Sequence, residues 1–257
     1  MADQTLVSDA PLQASEPSPL TRYDTYFYTL AADSPELIKT AHALRYQVYC
    51  LERKFEAADQ HLDFLEKDEF DSHALHGLIF HRPTGKAIGT VRLIVPELRA
   101  DSLPIESMLR ENNLQAADHF PARTTAEVSR FAISNEFRRR SFDLAPPVTP
   151  IERAKRRSER HGNLPCLGLV QILLRQSIDQ GVTHWAAVME PTLLRMLASM
   201  GIHFTALGPV IEHHGLRQPC YCSLPEMLET LRREQPEYWD IITNAGELAC
   251  GVKSRAA

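Results

Sequence analysis

The chain has 257 residues, 44% of them hydrophobic, enough to bury the core of one large domain. Its formal charge of −5 and pI near 6.1 exclude a dedicated basic nucleic-acid binder. No apolar run approaches the ~20 residues that span a bilayer. The N-terminus lacks a basic and apolar leader, so a cytoplasmic protein is expected. Residues 1–22, rich in Ser, Pro, Ala and acids, read as a loosely docked arm before a single domain over 23–257. A helix begins at Ser34-Pro35, a capping residue followed by a proline suited to the first turn. Leu37, Ala41, Leu44, Val48 and Leu51 then mark its apolar stripe, with Arg45 at the edge. The runs 73–81 and 86–95 are strand-like, and Arg82-Pro83-Thr84-Gly85 between them makes a hairpin. A third strand is predicted over AEVSRFAIS (126–134). An arginine- and proline-rich insertion follows, at about 136–163. Residues 164–181 read as a buried helix ending at Gly181, 183–190 as a strand, and 191–201 as a helix from proline to glycine. Short strands and a helix over 225–234 complete the pattern. This order predicts an α/β fold, a mixed central sheet flanked by helices.

The informative residues are charges set in apolar sequence. Arg45 lies in LRYQVYCLER, Asp68 and Asp71 in EKDEFD, Arg92 in IGTVRLI, and Glu127 and Arg130 in AEVSRF. A charge facing a core costs several kcal/mol unless it is paired, so these acids and bases are expected to serve one another or a substrate. Each also has a purely structural reading. Arg45 with Asp71 would join helix to hairpin, Arg92 would tie the sheet to Asp68, and Glu127 would pair with Arg130. Strict alternation places Glu127 and Ser129 on one strand face and Arg130 on the other. The five cysteines are scattered, and Cys220-Tyr-Cys222 lacks metal-ligand spacing, so no metal site is predicted. The histidines, including His42, His73 and the His213-His214 pair, read as surface or hydrogen-bonded side chains.

The segment 138–160 holds eight basic residues against three acidic ones. Arg138, Arg139, Arg140, Arg153, Lys155, Arg156, Arg157 and Arg160 would form a basic patch on an acidic protein. Such a patch suits an acidic protein partner reached by electrostatic steering, and no nucleic-acid motif accompanies it. A solvated loop would show the same composition.

LRYQVYCLER, EKDEFD, GTVRLI and EVSRF together resemble, in order and spacing, the acyl-homoserine-lactone synthases. They resemble still more the N-acyl amino acid synthases and the PEP-CTERM/exosortase-associated acyltransferases, over roughly residues 25–230. The resemblance implies a GNAT acyltransferase fold with a bulge in the strand that carries Glu127. It implies an acceptor site shaped by Arg45, Asp68, Asp71 and Arg92. Glu127 would take the amine proton through a water, with Arg130 in the same network. Between the first helix and the acidic pair the lactone synthases typically carry a tryptophan; this chain has Phe55 and Phe64 there but no tryptophan, which favours an amino-acid acceptor over S-adenosylmethionine. RRSERHGNLPCLG lacks the glycine-rich phosphate loop of acyl-CoA enzymes. That points to the phosphopantetheine thioester of acyl carrier protein as donor of a long fatty acyl chain, with no other cofactor. The expected function is therefore an N-acyl amino acid synthase served by acyl carrier protein. Two alternatives are a lactone-making autoinducer synthase using S-adenosylmethionine and a non-catalytic carrier-binding protein on the same scaffold.

Overall fold

The computed structural model describes residues 17–95, 103–112, 114, 121, 123–137, 163–213 and 215–253. The eight basic residues from Arg138 to Arg160 lie outside them. Helix α1 (Pro19–Tyr26) leads into β1 (Phe27–Ala31), two elements absent from the sequence reading. Tyr23 and Phe27 anchor them in the core at 3% and 0% exposure. Helix α2 (Pro35–Arg45) starts as predicted, the Ser34 hydroxyl accepting the Leu37 N–H at 3.3 Å. It then widens into a π-helical stretch, Tyr46–Glu52. The wider turns rotate later residues, so Leu51, expected in the apolar stripe, is exposed.

The hairpin β2 (Ala74–His81) and β3 (Lys86–Ile94) turns at Gly85, whose φ of 64° is a left-handed conformation that glycine adopts without steric cost. Helix α3 (Pro104–Glu111) was not foreseen, although Ile105, Met108 and Leu109 keep helical spacing. Strand β4 (Thr125–Ile133), α4 (Leu164–Asp179), β5 (His184–Met189) and α5 (Pro191–Ser199) follow the predicted order. Strands β6 (Thr205–Ala206), β7 (Ile211–Glu212) and β8 (Leu216–Ser223) precede α6 (Leu224–Glu234), α7 (Pro236–Thr243) and α8 (Glu247–Lys253).

The sheet runs β1-β2-β3-β4-β5-β8-β6, with β7 beside β8. Its pairs are antiparallel except β4 with β5, so the sheet is mixed. Alternation along the strands divides the core. Ile79, Val91, Leu93, Val128, Trp185 and Cys220 meet α4 and the helices around it on one face. On the other, Leu78 and Phe80 pack with Ala41 of α2, and Ile94 and Ala186 with α3. Among the described residues no helix is long and apolar enough to cross a membrane.

Helix α4 lies close on the sheet because β2 offers a glycine there. A Cβ at Gly77 would stand 2.6 Å from Ile172 Cγ2. Gly77→Ala should therefore cost about 1–3 kcal/mol through overpacking, read from the urea midpoint.

Candidate functional site

Three guanidiniums and three carboxylates interlock between α2, the 3-10 turn Glu69–His73 and the sheet. Arg45, fully buried, donates through Nε to Glu66 and through Nη1 to Asp71 Oδ1 at 2.5 Å. Arg92 Nη1 donates to Asp68 Oδ1 (2.5 Å) and Asp71 Oδ1 (2.9 Å), and its Nε to Ser129 Oγ (2.9 Å). Arg130 Nη2 donates to Glu66 Oε1 (2.9 Å) and Asp68 Oδ2 (3.1 Å). Asp68 and Asp71 also form a capping box over the 3-10 turn, the Asp68 N–H donating to Asp71 Oδ2 at 2.8 Å. The six formal charges cancel.

Electrostatics follow the pairing. Burial opposes ionisation of Glu66, but Arg45 and Arg130 overcome it and hold the carboxyl at about 2. Burial works against Asp71 likewise, and Arg45 and Arg92 hold it well below the usual carboxylate range. Glu66 is absent from the sequence-based site although it is 1% exposed and binds two arginines. EKDEFD offers four acids in six positions, and nothing local marks the first as the one facing inward.

Strand β4 does not alternate strictly; it carries the bulge that the resemblance implied. Arg92 pairs with Ser129 and Thr90 with Ala132, so β4 carries one residue more than β3 over that interval. The bulge turns Arg130 through a left-handed φ of 50° and aims its side chain at Glu66 and Asp68, the face of Arg92 and Glu127. Pairing between β4 and β5 ends at Val128 with Ala187, ahead of the bulge. The strands then part, and a cleft of about 970 Å³ opens along Ser129–Ile133 and Val188–Glu190. Tyr49, Phe55, Asp68, Arg92, Glu127 and Arg130 line it too.

Glu127 is 5% exposed, and its Oε2 accepts the Ile105 N–H at the start of α3, 2.8 Å away. Burial pushes its carboxyl up to about 7, although that N–H and Arg92 favour the charged form. It stands poised to exchange a proton near neutral pH. Arg45 and Asp71 do not reach the cleft. Arg45, expected in the acceptor site, has no exposed surface and pairs with Glu66 and Asp71 in the wall behind the cleft. Arg92 and Asp68 border the cleft, but the guanidinium of Arg92 is engaged by two carboxylates and Ser129.

Behind the wall, His42 Nε2 and His76 Nε2 lie 3.8 and 3.7 Å from Asp71 oxygens, and the three groups are close enough to share a cation. Both oxygens of Asp71 already accept hydrogen bonds, and Arg45 and Arg92 would repel a metal ion there. Burial and then Arg45 lower both imidazoles, His76 to about 4, so they are neutral at pH 7.

Residues 44–145 match the family model described as "Acetyltransferase (GNAT) domain". No curated protein matches the sequence. Among solved structures, TofI in a ternary complex with an inhibitor and MTA matches with TM-score 0.56 and 18% identity, over 79% of this chain and 96% of that one. The AHL synthase LasI matches with TM-score 0.54 and 18% identity, over 77% and 89%. BjaI, described as a CoA-dependent acyl-homoserine lactone synthase with SAM and isopentyl-CoA, matches with TM-score 0.53 and 17% identity, over 87% and 89%. These matches correct the carrier-protein donor, the carrier partner and the amino-acid acceptor expected from the sequence. BjaI and MesI, relatives of this fold, are described as CoA-dependent acyl-homoserine lactone synthases, BjaI with SAM. FeeM, an N-acyl amino acid synthase, superposes less well, at TM-score 0.48, and carries no argument for that acceptor.

Two outcomes test the wall. Arg45→Ala leaves Glu66 and Asp71 facing one charge fewer, and should lower stability by about 3–5 kcal/mol in denaturant unfolding. His76 binds fewer protons folded than unfolded between pH 4 and 6.5. Its contribution, complete above pH 6.5, is lost as pH falls towards 4. The unfolding free energy of His76→Gln should accordingly decline less across that window than the wild type's.

Residues 44–145 thus carry a GNAT acetyltransferase-type domain, and the chain has the α/β fold of these acyltransferase structures.

Proposed function

We propose that the chain makes an acyl-homoserine lactone, moving an acyl group from an acyl-CoA thioester to the amine of S-adenosylmethionine. The observation that carries this reading is Glu127, a buried carboxylate held near neutrality in the cleft between β4 and β5. The amine reaches the site as an ammonium and must lose a proton before it can attack. Glu127, with Oε2 taken by the Ile105 N–H, takes that proton through Oε1, directly or by one water. The amine nitrogen then bonds to the thioester carbonyl carbon, and the C–S bond breaks with departure of the CoA thiolate. The parted edges of β4 and β5 offer backbone N–H groups to the transient oxyanion. In the second step the acceptor's own carboxylate oxygen closes on its γ-carbon, displacing methylthioadenosine and forming the lactone.

The wall suits a cationic acceptor. Tyr49 and Phe55 give the cleft an aromatic side, with Arg130 over the one ring and Arg53 and Arg217 over the other. The attraction for a sulfonium comes from the acids that line the cleft, Asp68, Glu69 and Glu111 among them. The missing tryptophan thus does not remove the aromatic surface, since Phe55 occupies the cleft. BjaI, of the same fold, is described as CoA-dependent and with SAM and isopentyl-CoA. The exosortase-associated assignment gains no support from these matches.

Purified protein given acyl-CoA and S-adenosylmethionine should release CoA, methylthioadenosine and an acyl-homoserine lactone, identified by mass spectrometry. Absence of lactone with a range of acyl-CoA chain lengths would refute the reading. Glu127→Gln should lower kcat by roughly 10²-fold or more at neutral pH. The wild-type rate should rise with pH through about 7 as Glu127 ionises, and the variant should lose that limb. A raised carboxyl costs folding free energy as pH climbs from 4.5 through 7, so the variant should be no less stable than wild type at pH 8. A variant that is both inactive and destabilised there would make Glu127 a structural cap of α3.

A further inference from the structure

Four described arginines line the cleft: Arg53, Arg92, Arg130 and Arg217. The guanidiniums of Arg92 and Arg130 are committed to carboxylates by short hydrogen bonds. Arg53 and Arg217 are not. Each approaches one oxygen of Glu190 only to 3.8 Å, beyond hydrogen-bond distance, and Arg217 Nη1 otherwise donates to the Leu216 carbonyl at 3.0 Å. Two cations thus share one carboxylate at this end of the cleft, neither held by a hydrogen bond to it. Both guanidiniums lie over the Phe55 ring, 5.9 and 5.0 Å from its centroid. The Arg217 side chain is 14% exposed, so its charge is little screened by solvent.

Their position selects the ligand. Glu127 pairs with Ala186 on β5, and Glu190 is four residues further along, roughly 13 Å at the rise of a strand. Arg217 stands level with Glu190, since its neighbour Gln218 pairs with Met189. An acceptor's carboxylate sits two bonds from the attacking amine and does not span that distance. A pantetheine arm does: its backbone equals about four extended residues, again roughly 13 Å. With the thioester carbonyl beside Glu127, the phosphate at the far end of the arm arrives between Arg53 and Arg217.

We propose that Arg53 and Arg217 form a phosphate-binding subsite for the CoA donor at the C-terminal end of β5, an inference that rests on the acyl-CoA reading above. Guanidiniums suit the task because their planar fork grips phosphate oxygens in pairs. Glu190 keeps the two cations apart and oriented until the phosphate displaces its loose contacts.

The test is calorimetric titration with CoA itself, alongside steady-state kinetics. The double variant Arg53→Ala/Arg217→Ala should bind CoA at least ~10-fold more weakly and raise the KM for acyl-CoA in proportion. The KM for an acyl-pantetheine, which has no phosphate, and that for S-adenosylmethionine should be unchanged, as should the melting temperature. Arg217→Gln, which keeps most of the side-chain packing, should show a smaller shift in the same direction, and Arg217→Lys should restore part of the affinity. Unaltered CoA affinity in the double variant would overturn the subsite. So would equal losses with acyl-CoA and acyl-pantetheine, or a rise confined to the acceptor KM. Wild-type protein that binds CoA through these arginines yet makes no lactone would sink the acceptor reading and leave the subsite standing. Wild-type turnover with an unaffected double variant would do the reverse.

Discussion

The site depends on one buried lattice of charge, in which Arg45, Arg92 and Arg130 alternate with Glu66, Asp68 and Asp71. Taking these groups out of water is expensive, and their mutual hydrogen bonds repay it only while all six are present. The lattice therefore ties the end of α2 and the loop before β2 to the paired strands β3 and β4. It also explains why the charges sit in apolar sequence. They form a rigid wall at the edge of the core, and the groups deepest in it are withdrawn from chemistry.

What the wall braces is an irregular strand. A non-glycine residue in the left-handed region costs of order 1–3 kcal/mol, and Arg130 at φ 50° persists because Glu66 and Asp68 hold its guanidinium. The bulge has two consequences. It brings Arg130 round to the side of Glu127, and it coincides with the end of β4–β5 pairing, where the cleft opens. Glu127 lies just ahead of that opening. Its carboxyl is buried enough to be raised near 7, and the N–H at the head of α3 keeps it oriented. Strain, opening and a tuned base are one structural event in a nine-residue strand.

The donor shows how a sound local argument can miss. Lack of a glycine-rich loop before α4 speaks only about one way of holding phosphate, by backbone N–H groups at a helix start. Side-chain guanidiniums are another, and Arg53 and Arg217 come from segments 164 residues apart in sequence. No motif scan joins them. Phe55 similarly looked like the loss of a tryptophan, whereas in three dimensions it furnishes the aromatic surface between those arginines.

The sequence by itself determined the helix cap at Ser34, the β2–β3 hairpin, the buried helix α4 and the α/β order, because each rests on local rules of periodicity, capping and turn chemistry. It also marked Arg45, Asp68, Asp71, Arg92, Glu127 and Arg130, since charges in apolar runs are conspicuous without any structure. Only the tertiary structure decided what each does. Whether an arginine is wall or ligand depends on which carboxylates reach it from distant segments, and that excluded Arg45 from the cleft and admitted Glu66 to the lattice. The bulge at Arg130 was likewise invisible to alternation, because the extra residue is stabilised by side-chain partners more than 60 positions away. The pKa of Glu127 was set the same way: burial beneath α3 and the splayed strands is a property of packing, which no single strand encodes.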